Sequence, residues 1–167
     1  MVFSVINDIL SDIFKYNNHL PIIISKPVNT IKNNDNTLAN DPHLQFSVEA
    51  NAVYVLVAYL NVDIKAASDF KYIFTVPAGT AMSGIANAGT MLVWATAVPS
   101  VVDVDITAGS RTFLNGSAIE SLWAPQMSFI EVGNTAGLVA FQWAQNTAVA
   151  EDTIVKKGST FIVYKTA

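Results

Sequence analysis

The sequence predicts an all-β fold, a jelly-roll-like antiparallel β-sandwich that follows an N-terminal arm containing a short amphipathic helix. From Leu44 onward, apolar and polar residues alternate with the period of two that a half-buried strand requires. Glycine, proline and asparagine separate these segments at the spacing typical of a sandwich. No long helical pattern interrupts them, which argues against parallel βαβ units. These observations divide the 167 residues into an arm, residues 1–43, and a sandwich domain, residues 44–167.

The arm begins with an apolar stripe at helical spacing. The stripe consists of Ile6, Ile9, Leu10, Ile13 and Phe14. Polar residues fill the positions between them, so the pattern predicts an amphipathic helix, which Ser4 can cap. A helix of about three turns is marginal alone in water. We therefore expect the stripe to dock on another surface, either its own sandwich or a neighbouring subunit.

The remainder of the arm has no helical pattern. Residues 20–27 combine three isoleucines with two prolines. Isoleucine favours an extended strand, whereas proline confines such a strand to a sheet edge or an extended arm. Residues 29–37 are polar and rich in asparagine, which indicates a linker.

The pattern of residues 44–167 predicts a succession of strands joined by turns. Residues 53–60 are apolar on both faces, which indicates a central strand covered on both sides. Residues 83–89 are predicted to form an exposed loop, and Asn115-Gly116 a hairpin turn. The predicted strands are Leu44–Val48, Val53–Leu60, Phe70–Val76, Met91–Ala97, Val101–Ile106, Thr112–Leu114, Ile119–Trp123, Gln126–Val132, Leu138–Trp143, Thr153–Val155 and Thr160–Tyr164.

The composition narrows the functions that the chain can have. Hydrophobic residues make up 51% of the chain and charged residues 13%, against roughly 25% charged residues in ordinary soluble domains. So little charge predicts that partners or copies of the chain cover part of its surface. A net charge of −4 disfavours nucleic-acid binding, and no apolar run reaches the ~18 residues of a membrane span. The N-terminal segment lacks the pattern of a secretory signal, so we expect synthesis in the cytoplasm, or export by a route that the sequence does not show.

Residues that could carry chemistry are few and scattered. There is no cysteine, and the histidines, His19 and His43, lie outside the predicted strands, so we expect neither a zinc site nor a catalytic triad. Asp103 and Asp105 alternate along one strand and therefore share one face. They could bind Ca²⁺ or act as paired acids, but a solvated outer face explains them more simply. The sequence thus predicts a protein that is not an enzyme and uses no cofactor or metal.

Two longer segments point to a family. Residues 69–80 read DFKYIFTVPAGT, and residues 137–147 read GLVAFQWAQNT, with Gly158-Ser159 before the last strand. Residues 49–54 fit the same pattern. Together they resemble small virion proteins of tailed bacteriophages, in which one strand ends in Pro-Ala-Gly and a later strand carries Gln-Trp-Ala-Gln-Asn. The resemblance covers residues 44–165 and does not extend to the arm.

The resemblance implies a jelly-roll component of a virion, often trimeric, of the capsid decoration, head fibre or minor tail type, without catalytic residues. The expected partners are further copies of the chain and virion proteins such as the major capsid protein, and the expected location is the capsid surface. The alternative is a tail or fibre protein that binds a host receptor or glycan through loops such as residues 83–89 and 147–152. The residues expected to mediate self-association are Phe141, Gln142, Trp143 and Tyr164.

Overall fold

The fold is all-β in the part of the chain that the computed structural model describes, which is residues 20–87, 101–105, 111–113 and 119–166. Side chains are described for residues 20–83 and 127–166. Within these ranges there is no helix, and two antiparallel sheets form, consistent with a β-sandwich. The all-β prediction is therefore confirmed. The apolar stripe predicted at positions 6–14 lies outside the described residues.

The described residues form twelve strands. The bounds are β1 Ile22–Ser25, β2 Thr30–Lys32, β3 Ala39–Val48, β4 Val53–Ile64, β5 Phe70–Thr75, β6 Ala81–Asn87, β7 Val101–Asp105, β8 Arg111–Phe113, β9 Ile119–Glu131, β10 Gly137–Gln145, β11 Thr153–Val155 and β12 Thr160–Lys165. The larger sheet has the order β1-β12-β4-β9-β6-β7, and the smaller one the order β3-β10-β5-β8. Beyond the end of β12, β11 takes its place beside β4, and β2 lies outside β11.

The core fills the space between the two sheets. Every second side chain of β4 is buried, as the alternating pattern requires. The Phe161 ring on β12 meets three rings of the smaller sheet, with ring centroids 6.4 Å from Phe46, 5.9 Å from Phe74 and 6.2 Å from Phe141. Such aromatic contacts add to the stabilisation that comes from burying apolar area. They hold the sheets face to face.

Residues 20–43 differ from the expected arm, because hydrogen bonds draw them into the sandwich. β1 pairs with β12, β2 pairs with β11, and β3 begins at Ala39, so the boundary drawn at residue 43 falls inside a strand. Of the two alternatives for residues 20–27, an edge strand or an extended arm, the described residues show the edge strand, since β1 ends the strand order there. The asparagine-rich stretch is short of apolar residues, yet its polar side chains bond to the domain. Asn33 Nδ2, for example, donates to Asp152 Oδ1 over 2.8 Å.

Two strands of the larger sheet also differ from the sequence prediction. Residues 81–87 form β6 rather than a loop, because pairing with β9 outweighs the weak strand preference of Gly84. β9 continues through Pro125, where the sequence predicts a break. β6 pairs with β9 only over residues 127–131, so in the described residues β9 has one neighbour rather than two at Pro125. A residue without an amide hydrogen is tolerated there.

Candidate interaction surface

The outward side of the larger sheet carries an apolar surface, which we call the outer face. It comprises Ile23, Val55, Val57, Met127, Phe129, Ile162 and Tyr164. One row of the outer face crosses four neighbouring strands, from β1 through β12 and β4 to β9, and a second row crosses three of them. Opposed residues of antiparallel strands lie roughly 4.5–5.5 Å apart. The two rows therefore form one continuous patch.

The outer face is open in the described part of the molecule. Ile23 is 64% exposed, Phe129 47% and Tyr164 40%. The sequence predicts that β4 is central and covered on both sides. The structure confirms the central position, between β12 and β9, but the outward side chains of β4 are half-buried or exposed. Fully burying a large apolar side chain stabilises by about 1.5–3 kcal/mol, so covering the outer face would be favourable.

A second apolar surface follows one edge of the same sheet, and we call it the apolar edge. It comprises Leu20, Ile22, Val28 and Ile31, all at least 47% exposed. The strands of this edge, β1 and β2, each pair with a single neighbour in the described residues. Such an edge presents unpaired backbone N–H and C=O groups to other chains. Apolar side chains and free backbone groups together suit association with another chain.

The residues predicted to mediate self-association separate into two groups. Phe141 and Trp143 are 0% and 1% exposed and lie in the core, so the prediction that they form a surface contact is wrong. The alternation of β10 turns both rings toward the opposite sheet. Gln142 is half-buried, and its amide donates to Asn40 Oδ1 over 2.8 Å. Tyr164 alone of the four lies on the outer face. The expected docking residues Ile6, Ile9, Leu10, Ile13 and Phe14 lie outside the described residues.

A buried ion pair fixes the segment between β1 and β3. Lys26 follows β1, and its Nζ lies 2.7 Å from Asp41 Oδ1 and 2.6 Å from Asp41 Oδ2. Both side chains are 0% exposed. Removing two charges from water is unfavourable unless they are paired and fully hydrogen-bonded. Lys26 also donates to the Thr30 hydroxyl, and its Nζ lies 3.4 Å from His43 Nδ1.

Asp41 is the centre of this cluster. Its carboxylate accepts the backbone amides of His43 and Leu44, at 3.0 and 3.3 Å. It also accepts the indole Nε1–H of Trp143 over 3.3 Å. The core tryptophan of β10 is thereby tied to the segment that carries β1. Sequence reasoning misses this cluster, because no local pattern joins Lys26 to Asp41.

A second buried cluster surrounds Gln145, which is 0% exposed at the end of β10. Its Oε1 accepts the backbone amides of Asp35 and Val149, at 3.0 and 3.2 Å. Its Nε2 donates to the Glu151 carbonyl over 2.8 Å, and further to Val149 and Thr153. One amide therefore holds both the turn before β3 and the loop over residues 146–152. Through the hydrogen bonds of Trp143 and Gln145, the Gln-Trp-Ala-Gln segment holds residues 26–41 against the sandwich.

We expect Gln145→Ala to lower the free energy of unfolding by about 2–3 kcal/mol, because backbone groups of Asp35, Val149 and Glu151 lose their buried partner. Urea unfolding measures the loss, and limited proteolysis should show earlier cleavage within residues 146–152. Gln142→Ala is the matched control on the same strand, since the hydrogen bond from its side-chain amide to Asn40 is exposed. Equal effects of the two substitutions would contradict this account of Gln145.

Exposed ion pairs surround these clusters and shift two pKa values. Hydrogen bonds from the Lys32 ammonium and then from the Thr37 amide hold the pKa of Asp35 below its ordinary value of 3.8. The Glu49 carboxylate, 2.8 Å from Lys165 Nζ, raises the pKa of that lysine above its ordinary value. Both side chains are partly exposed, 40% for Asp35 and 33% for Lys165, and solvent screens such interactions. The Asp35 contacts orient a local turn, and the Glu49–Lys165 pair joins the residue after β3 to the end of β12.

The described residues contain no group of three or more metal-ligating side chains. Asp103 and Asp105 lie in β7, in register with Ile85 and Ser83 of β6, but their side chains are outside the described set.

The loop over residues 147–152 borders an open depression of about 640 Å³. Asn33, Lys65, Ala150, Glu151, Asp152 and Ile154 line it. No helix in the described ranges could span a membrane.

The fold and these surfaces define an all-β, two-sheet protein whose larger sheet exposes an apolar face and an apolar edge. A comparison with models of known protein families found no match to the chain. A comparison with curated proteins found no significant match.

Proposed function

We propose that the chain is a structural, non-enzymatic component of a bacteriophage virion. The structural role is supported above all by the apolar edge, where Leu20 is 73% exposed and Val28 and Ile31 are each 53% exposed. Exposed apolar patches of this kind mark sites where proteins bind one another. A chain with only 13% charged residues gains stability when partners cover such a surface.

The buried polar clusters support the same role. The Lys26–Asp41 pair and Gln145 direct their polar atoms to backbone and side chains of the same molecule. Each fastens a strand or turn of residues 20–43 to the sandwich. These hydrogen bonds stabilise the position of the segment that carries the apolar edge. A segment that binds a partner needs such a fixed position.

The virion assignment rests on the resemblance of residues 69–80 and 137–147 to small phage virion proteins. We propose a jelly-roll topology, which is supported by sheet neighbours that are distant in sequence, such as β3 with β10 and β4 with β9. We further propose a capsid decoration protein that forms a trimer, attaches to the major capsid protein through its N-terminal segment and lies on the capsid surface. Three copies around an axis would each bury an apolar edge.

Deleting residues 1–18 should leave a folded sandwich but weaken binding to the particle, because the deleted residues precede β1 and its buried lysine. Co-sedimentation with particles that lack the protein compares the full chain with the deletion variant. Circular dichroism of both forms controls for folding, and light scattering tests the trimer. Undiminished binding of the deletion variant would refute the attachment role, and immunogold label restricted to the tail would refute the capsid location.

The alternative is a tail or fibre protein that binds a host receptor or glycan. It is favoured by the open depression beside residues 147–152, which Lys65 and Glu151 line with opposite charges. Binding of the purified chain to a glycan array, lost on substitution of these two residues, would support it. An array without bound glycans, together with full infectivity after the substitutions, would leave the decoration role as the better account.

A further inference from the structure

We propose that the outer face of the larger sheet binds the N-terminal segment of its own chain, with the helix predicted over residues 4–16 lying above β4. The outer face is apolar and open, and the predicted helix carries an apolar stripe. The proposal goes beyond the proposed function and stands without it. The size of the face, the position of the chain end and the chemistry of the two surfaces support it.

The dimensions of the outer face match one helix. Its longer row spans β1 to β9, three strand spacings or about 14 Å. The outward apolar residues of β4 continue on either side of the face to Val53 and Tyr59, a length of about 20 Å. A helix of 13 residues is about 20 Å long and about 10 Å wide. The outer face together with Val53 and Tyr59 thus covers at most about 280 Å², whereas a stable interface between two proteins covers about 800 Å² on each partner. A single helix fits this area better than a second copy does.

The chain enters the sheet within reach of this face. β1 begins at Ile22, opposite Val163 of β12, so the preceding residues lie near Tyr164 in the second row. Residues 17–19 connect the end of the predicted helix to Leu20, and the four steps from residue 16 to Leu20 can extend about 14 Å. The middle of the face above β4 lies about 10 Å from β1 across the sheet, and a helix axis lies about 10 Å above it. The direct distance of about 14 Å equals the span of this connector when it is fully extended.

The two surfaces are complementary in chemistry. The stripe offers five apolar side chains at helical spacing, and the outer face offers four aliphatic side chains, one methionine and two aromatic rings. Removing both from water is the favourable step that a three-turn helix needs in order to persist. The opposite side of the helix would face outward and remain available for the attachment to the particle proposed above. That side carries Asn7, Asp8, Ser11 and Asp12.

Disulfide trapping tests the proposal directly, because the native chain contains no cysteine. Val57→Cys is combined in turn with Ile9→Cys and with Ile13→Cys, and the purified full-length chain is oxidised at low protein concentration. At least one pair should form a disulfide within a single chain, seen as loss of free thiols at monomer mass on a non-reducing gel. Val57→Cys with Asp8→Cys, on the other side of the helix, should keep its thiols free.

Two results would overturn the proposal. Disulfide-linked dimers would assign the outer face to a second copy, and free thiols in every pair would show that the segment does not lie on the face.

A second readout leaves Val57 unchanged. The variant Ile9→Asp/Ile13→Asp should bind more of an apolar-surface dye than the matched variant Asp8→Ala/Asp12→Ala, and equal dye binding would also contradict the proposal. Failed trapping with normal particle binding would leave the proposed function intact.

Discussion

Replacing Asp41 with alanine is expected to lower the free energy of unfolding by about 3–5 kcal/mol, because the Lys26 ammonium is then left buried without a counter-ion. Both side chains are 0% exposed, so water cannot take the place of the carboxylate without opening the structure. Trp143 and two backbone amides lose their acceptor at the same time. Urea unfolding followed by tryptophan fluorescence measures the change.

Three further variants separate the contributions to this loss. Asp41→Asn keeps an acceptor for Trp143 but removes the charge, so we expect an intermediate loss. Lys26→Met with Asp41→Asn removes the buried ammonium and should recover part of the stability. Glu49→Ala breaks an exposed pair with Lys165, and we expect little or no change. An Asp41→Ala variant as stable as Glu49→Ala would show that the buried pair does not fasten the β1 segment.

Strand alternation explains how much of the fold the sequence reveals. Leu44, Phe46 and Val48 point inward as their spacing predicts, and so do Phe70 and Phe74. Local spacing cannot supply partners from distant segments. β2 and β6 were not predicted, because Thr30–Lys32 is too short and Gly84 too poor a strand former to stand out before β11 and β9 are placed beside them.

The candidate surfaces show where sequence reasoning stops. Val53–Leu60 is apolar on both faces, and that pattern indicates a cover without revealing what provides it. Trp143 and Tyr164 are both large and aromatic, yet one lies in the core and the other on the outer face. The difference follows from register between distant strands, as the opposition of Tyr164 and Val55 shows. Such register depends on the whole sheet and is not encoded in any single window.

The core position of Phe141 predicts a large loss of stability without a direct effect on assembly. Its ring lies 5.4 Å from Phe74, 5.7 Å from Tyr72 and 6.2 Å from Phe161, measured between centroids. Phe141→Ala removes these contacts and leaves a cavity, which costs about 3–5 kcal/mol. Thermal unfolding should show the decrease equally at low and high protein concentration, because the lost contacts lie within one chain.

Leu138→Ala is the matched control, since Leu138 lies on the same strand but is 43% exposed on the other side of it. We expect a loss of about 1 kcal/mol or less for this smaller and already solvated side chain. If Phe141 instead mediated self-association, its truncation would dissociate oligomers while leaving the stability of the monomer unchanged. Light scattering alongside the unfolding curves distinguishes these outcomes. A Phe141→Ala variant that is stable but dissociated would show that this ring lies at an interface between copies, and it would refute the core position described for β10.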